Sequence, residues 1–222
     1  MGGSASGWRS VAVAASVAVV GVLIGLYVGV YLVAGPPTYT APVGAGRTVD
    51  LTIQTVAAVG PELSPHPDWV SYLVRDHGRW TRSTVWQLPA HATVHVTIYN
   101  FDGASGLRNP FFGQPQGLVG PELVDGKPVT VMPPDMPSHT FAVPALGIVV
   151  PVAPVGHDAG KQCGYAPCSL RMAHRTITFT FRTGAPGHYR WQCFVPCAAG
   201  FTYGFGGPMQ TIGYMNGFLN VD

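Results

Sequence analysis

Hydrophobic positions fall into two regimes along this chain. Val11 to Ala34 is apolar and carries no charged residue, a run long enough to cross the ~30 Å hydrocarbon core of a bilayer as a helix. Pro36-Pro37 then ends it, because proline cannot continue the helical hydrogen-bond ladder. Beyond that point apolar residues recur at every second position, the period of a half-buried strand. Val49, Leu51 and Ile53 alternate with Asp50, Thr52 and Gln54; Val94, Val96 and Ile98 alternate with His95, Thr97 and Tyr99. Ile177, Phe179 and Phe181 alternate with threonines in the clearest strand, Arg175 to Arg182. Shorter candidates are Trp69 to Leu73 and Thr84 to Leu88 around the polar turn Arg75 to Arg79, then Ser138 to Pro144, the run carrying Trp191 into Cys193, and a closing run after Met215. Phe101 to Pro137 is long, rich in glycine and proline and without periodicity, so it reads as an elaborated loop packed through Phe111, Phe112 and Leu118. About seven or eight short strands with turns between them predict an all-β sandwich whose loops gather at two ends.

This pattern divides the chain into a tail (1–10), an anchor helix (11–34), a small-residue linker (35–46) and a β-domain (47–222). A cleavable signal has a shorter apolar stretch, which favours an uncleaved anchor, while Val33-Ala34-Gly35 leaves late processing open. Arg9 flanks the helix and no basic residue follows until Arg47, so the expected arrangement is a single-pass plasma-membrane protein. Its N-terminus is cytoplasmic and its β-domain extracytoplasmic. Gly21, Gly25 and Gly29 share one helix face. They form either a stripe for a partner helix or the ordinary glycine content of a membrane helix.

Composition narrows the chemistry. Twenty-nine glycines and 21 prolines suit a turn-rich β-protein, and a formal charge of +2 without basic clusters excludes nucleic acid as a partner. No nucleophile elbow, zinc-protease helix or phosphate-binding loop is present. Four cysteines remain. Cys163 and Cys168 flank a short turn and read as a disulfide-clamped loop. Cys193 and Cys197 sit at the end of a strand and read either as soft thiolate ligands, suited to copper, zinc or iron, or as a second disulfide. A zinc ribbon using all four is a third arrangement, with looser spacings than usual. His91 and His95 read as an exposed polar face, and His188 falls on the face of its strand opposite to Cys193.

The run His139-Thr-Phe-Ala-Val-Pro-Ala-Leu-Gly-Ile148 resembles the segment carrying the first copper-binding histidine in subunit II of haem-copper oxidases. Cys193-x3-Cys197 follows in the order that family has, and Met215-x-Gly-x-Leu-x-Val221 is similar to the closing strand of small blue copper proteins. The resemblance spans about Arg47 to Asp222 and implies a cupredoxin-like Greek-key β-sandwich. It further implies copper held by His139, Cys193, Cys197 and Met215, with Met209 as the competing thioether, inside an apolar shell of Trp191, Phe194, Phe201 and Tyr203. Electron transfer in or beside a respiratory chain is the function it suggests, with respiratory-chain subunits as partners, rather than independent catalysis. Phe201 and Gly204 stand where subunit II has its second histidine and its methionine. That departure suggests the alternative of an accessory or assembly subunit with an empty site and structural disulfides. A Cu(I) carrier would use the same ligands.

Overall fold

The computed structural model describes residues 4–32, 37–56, 69–106, 108–197 and 207–222. Two units separate, Met1–Gly35 and Pro36–Asp222. The first holds helix α1 (Ser4–Leu26), continued by a π-helical segment, Tyr27–Leu32. The helix begins before the apolar run because its backbone ladder needs no apolar side chain to pass through Trp8, Arg9 and Ser10. From Gly7 to Val30 every side chain is exposed. A helix so apolar and uncovered has the length and composition of a membrane span or a signal sequence. Gly21 and Gly25 lie in α1 and Gly29 in the π-helical segment.

The second unit is a two-sheet β-sandwich. Its strands among the described residues are β1 (Thr38–Thr40), β2 (Thr48–Val56), β3 (Ser71–Asp76), β4 (Arg79–Thr81), β5 (Val85–Leu88), β6 (Thr93–Asn100) and β7 (Glu122–Val124). They continue with β8 (Lys127–Val129), β9 (His139–Val143), β10 (Ile148–Val152), β11 (Arg175–Arg182), β12 (Gly187–Gln192) and β13 (Asn216–Val221). One sheet has the order β1-β5-β13-β12-β9-β10 and the other β4-β3-β2-β6-β11-β7-β8. The pairings β1 with β5, β5 with β13 and β2 with β6 are parallel; the remaining ladders are antiparallel.

The alternating apolar residues of β2, β6 and β11 form one wall of the core, with Leu51, Ile53, Ile98, Ile177 and Phe181 fully buried. Trp86, Phe141, Trp191 and Leu219 form the facing wall. Trp86 stacks on Trp191 with ring centroids 5.2 Å apart and planes 9° apart, and Trp191 Nε1 donates to the Thr84 carbonyl at 2.8 Å. That bond satisfies the one polar atom that burying the indole would strand. Gly217 makes the approach possible, since a Cβ there would lie 1.7 Å from the Thr84 oxygen.

Four segments differ from the sequence expectation. Ile148–Val152, which follows the candidate Ser138 to Pro144 and was not expected as a strand, is β10 and pairs with β9. Thr38–Thr40, within the stretch read as linker, is a strand on β5. The candidate at Trp69 to Leu73 is displaced, because β3 runs on to Asp76 and pairs with β4 through a turn at His77-Gly78, where φ is 44° and 83°. Phe101 to Pro137, read as loop, contains the hairpin β7–β8, which extends the second sheet alongside β11. Its turn, Asp125-Gly126, has φ of 49° and 77°. Positive φ at both centre residues is the type I′ geometry that matches strand twist. Phe112 and Leu118 pack on the core as expected, while Phe111 is 41% exposed.

Candidate metal centre

Neighbouring strands of the first sheet converge at the site. His139 is the first residue of β9, and Cys193 follows the last residue of β12. Gln192 pairs with Ala142 of β9 on one side and with Asn216 of β13 on the other. Pairing therefore fixes the histidine and the first thiol side by side before any metal is considered. After Cys193 the chain turns through Val195, whose carbonyl accepts from the Cys197 thiol at 3.0 Å. The turn brings the two sulfurs to 3.4 Å.

His139 Nδ1 faces both, 3.1 Å from Cys197 Sγ and 4.0 Å from Cys193 Sγ. All three residues are buried, and their ligand atoms lie within 4.8 Å of one another. Ligand bonds of about 2.0 Å to nitrogen and 2.3 Å to sulfur, at tetrahedral angles, place donor atoms roughly 3.5–3.8 Å apart. The observed spacings bracket that range, so the cluster fits a small soft ion with little rearrangement. One imidazole and two sulfurs are the donors preferred by Cu(I), Cu(II)-thiolate centres and zinc.

Two neighbours hold the cluster in register. The Thr140 backbone N–H donates to Cys193 Sγ at 3.3 Å, while its hydroxyl accepts from the Phe194 N–H at 2.8 Å. On the far side of the ring, His139 Nε2 lies 2.8 Å from Asp102 Oδ2. Burial acts against charge on the imidazole, but the hydrogen bond to Asp102 and the neighbouring Cys193 outweigh it and raise His139 to about 9. Cys193 is lowered despite its burial, by hydrogen bonds from Cys197 and His139, the His139 charge and the Thr140 N–H. Cys197 is raised by its hydrogen bond to Cys193 and by burial.

Met215 is fully buried in the same core cluster as Cys193 and Cys197, and its carbonyl accepts from the Cys193 N–H at 2.9 Å. Met209 is half-buried in the turn Gly207–Met209 and packs on that cluster. The carbonyl of the preceding residue, Pro208, accepts from the Met215 N–H at 3.0 Å, which brings the two candidate thioether residues close along the backbone. Trp191 belongs to the core, and Phe194 lines an open groove with Phe111 and Phe112. Phe201, Tyr203 and Gly204 lie outside the described residues.

Cys163 and Cys168 are joined as a disulfide, so the zinc ribbon of four cysteines is overturned. Cys193 and Cys197 are both free, which also sets aside their pairing as a second disulfide in this structure. His95 bonds Thr180 Oγ1 at 2.9 Å on an exposed face, and His188 bonds Asn220 Oδ1 at 2.8 Å, away from the thiols. Asp102 and Thr140 were missed from the sequence. Thr140 adjoins the candidate histidine in the chain; Asp102 is 37 residues away, just past the end of β6 in the other sheet, and only the packing of the two sheets brings it in.

No family model matches the chain, and no curated protein matches it. Among solved structures, a point variant of rusticyanin is 21% identical, covering 86% of this chain and 84% of that one, with a TM-score of 0.35. Rusticyanin from Thiobacillus ferrooxidans is 22% identical over 83% and 82%, with a TM-score of 0.33. A haem-copper terminal oxidase dimer is 11% identical over 98% and 99%, with a TM-score of 0.32. The chain itself is a two-sheet β-sandwich behind an N-terminal apolar helix, with a buried His139-Cys193-Cys197 cluster able to hold a metal ion.

Proposed function

We propose that this is a membrane-anchored, extracytoplasmic, cupredoxin-like copper protein acting in electron transfer, in or beside a respiratory chain that ends in a haem-copper oxidase. The observation that carries the reading is the convergence of His139 Nδ1 and the sulfurs of Cys193 and Cys197 within 4.8 Å. His139 supplies the imidazole, Cys193 and Cys197 the thiolates, and Met215 the weak fourth donor, with Met209 as the other thioether. Copper, when bound, supplies the one-electron couple.

The chain's own part is to hold geometry and exclude water. His139 is 6% exposed, Cys193 0% and Cys197 5%, and the Trp86–Trp191–Phe141 stack behind them leaves little freedom for the strand ends to move. A site that keeps its shape while its charge changes by one suits rapid electron exchange. The Thr140 N–H on Cys193 Sγ stabilises negative charge on the sulfur and so contributes to setting the potential. The helix with Gly21, Gly25 and Gly29 anchors the sandwich and offers a face to a respiratory-chain subunit. In this reading residues 1–10 are cytoplasmic and 47–222 extracytoplasmic, joined by the anchor 11–34 and the linker 35–46.

The purified protein loaded with Cu(II) should show intense thiolate-to-copper charge-transfer absorption, lost in Cys193→Ser and strongly altered in Cys197→Ser. A colourless protein that takes up no copper removes the reading. The accessory-subunit alternative draws on Phe201 and Gly204, which stand in place of further ligands; it requires purified protein without metal and with no titratable thiol. A Cu(I) carrier would use the same ligands without redox turnover, and a measured reduction potential separates it from the electron-transfer reading.

A further inference from the structure

We propose that Asp102 is the positioning residue of the His139 ligand. Its carboxylate accepts a hydrogen bond from Nε2–H, holds the ring in the tautomer whose Nδ1 lone pair faces the two sulfurs, and favours the oxidised ion through a buried negative charge. The inference rests on the copper reading. A carboxylate has no proton to give, so the 2.8 Å contact requires Nε2–H as donor. In the neutral imidazole that leaves Nδ1 as the free donor atom, and Nδ1 is the atom facing Cys197 and Cys193.

Burial makes the contact specific. The side chains of His139 and Asp102 are 8% and 12% exposed, so water competes poorly for either partner. Asp102 is itself held in place: its N–H donates to Asn100 Oδ1 at 3.2 Å, and its carbonyl accepts from Val155 N–H at 2.9 Å and Asn100 Nδ2 at 3.1 Å. The two Asn100 Nδ2 protons are shared among that carbonyl, Ser138 Oγ and the Ala153 carbonyl, the last two each at 2.8 Å. Ser138 directly precedes His139 in the chain, and its hydroxyl donates to the Val152 carbonyl at 3.0 Å. One buried asparagine therefore ties the carboxylate to the backbone that carries the ligand. A neutral carbonyl would orient the ring equally well; a carboxylate adds charge, which stabilises the more positive ion in a medium of low dielectric constant.

The full-length protein in detergent tests this with two variants. Asp102→Asn keeps an acceptor oxygen and removes the charge. It should retain the charge-transfer band while Cu(II) affinity falls about tenfold relative to Cu(I), raising the potential by ~59 mV. Asp102→Ala removes both and should weaken Cu(II) binding about 10- to 100-fold. A readout without copper is the His139 Nε2 proton in the metal-free protein. It should give a slowly exchanging low-field resonance, weaker in Asp102→Asn and absent in Asp102→Ala. An unchanged potential in Asp102→Asn, or a wild-type resonance that exchanges freely, overturns the role of Asp102. Failure to take up copper with the resonance present overturns only the copper reading and leaves the imidazole–carboxylate pair standing.

Discussion

Thr140 binds the site twice with groups that point in different directions. Its N–H lies on Cys193 Sγ and its hydroxyl oxygen takes the Phe194 N–H, so one residue holds the start of the cysteine turn from both ends. Thr140→Val preserves shape and the backbone donor but strands a half-buried N–H, which costs about 1–3 kcal/mol. Urea unfolding should register that loss, and the copper band should broaden rather than vanish, because both sulfurs remain. Glu122 illustrates the opposite case. It is fully buried with neither carboxylate oxygen paired, and burial raises it to about 8. A carboxyl whose folded value exceeds its unfolded value of 4.5 binds more protons folded than unfolded between those two limits. Its stabilisation is therefore complete below pH 4.5 and is lost as pH rises through about 8. Glu122→Gln should remove that slope, so that the variant overtakes the wild type toward alkaline pH in denaturant titrations at matched conditions. A parallel pH dependence in both proteins would contradict it.

At the level of strands, legibility followed how local the signal was. The alternation in β2, β6 and β11 is written residue by residue, and those strands lie where the pattern puts them. The β7–β8 hairpin was missed although Asp125-Gly126 is a strong turn pair, because strands of three residues carry too little alternation to stand out among prolines and glycines. The β1 strand was missed for the same reason of length, and it exists because β5 supplies a free edge for it. Gly217 in β13 shows the reverse: its identity is meaningful only against Thr84 and Trp191, which approach it from other segments. Gly217→Ala drives a methyl group into the Thr84 carbonyl and displaces the Trp191 indole. Thermal unfolding should show a loss of about 1–3 kcal/mol or more, together with changed tryptophan fluorescence.

On the scale of the whole chain, the sandwich has its own core and ladders, and α1 is exposed along its apolar length. Removing residues 1–35 should leave a protein that fractionates without detergent and takes up copper with unchanged absorption; loss of folding would show that the anchor contributes to the core. Thiol counting on the metal-free, denatured and unreduced protein should give two reactive sulfurs, Cys193 and Cys197, with Cys163 and Cys168 paired. The sequence alone determined the apolar helix, the alternating strands and the residue types from which a soft metal site is built, since hydrophobic period and side-chain chemistry are properties of neighbours along the chain. Only the tertiary structure decided that Asp102 meets His139, that Thr140 clasps the cysteine turn, and that Nδ1 rather than Nε2 faces the sulfurs. Those facts depend on which strands lie side by side and, for Asp102 and His139, on how the two sheets pack face to face, over separations that no local pattern records.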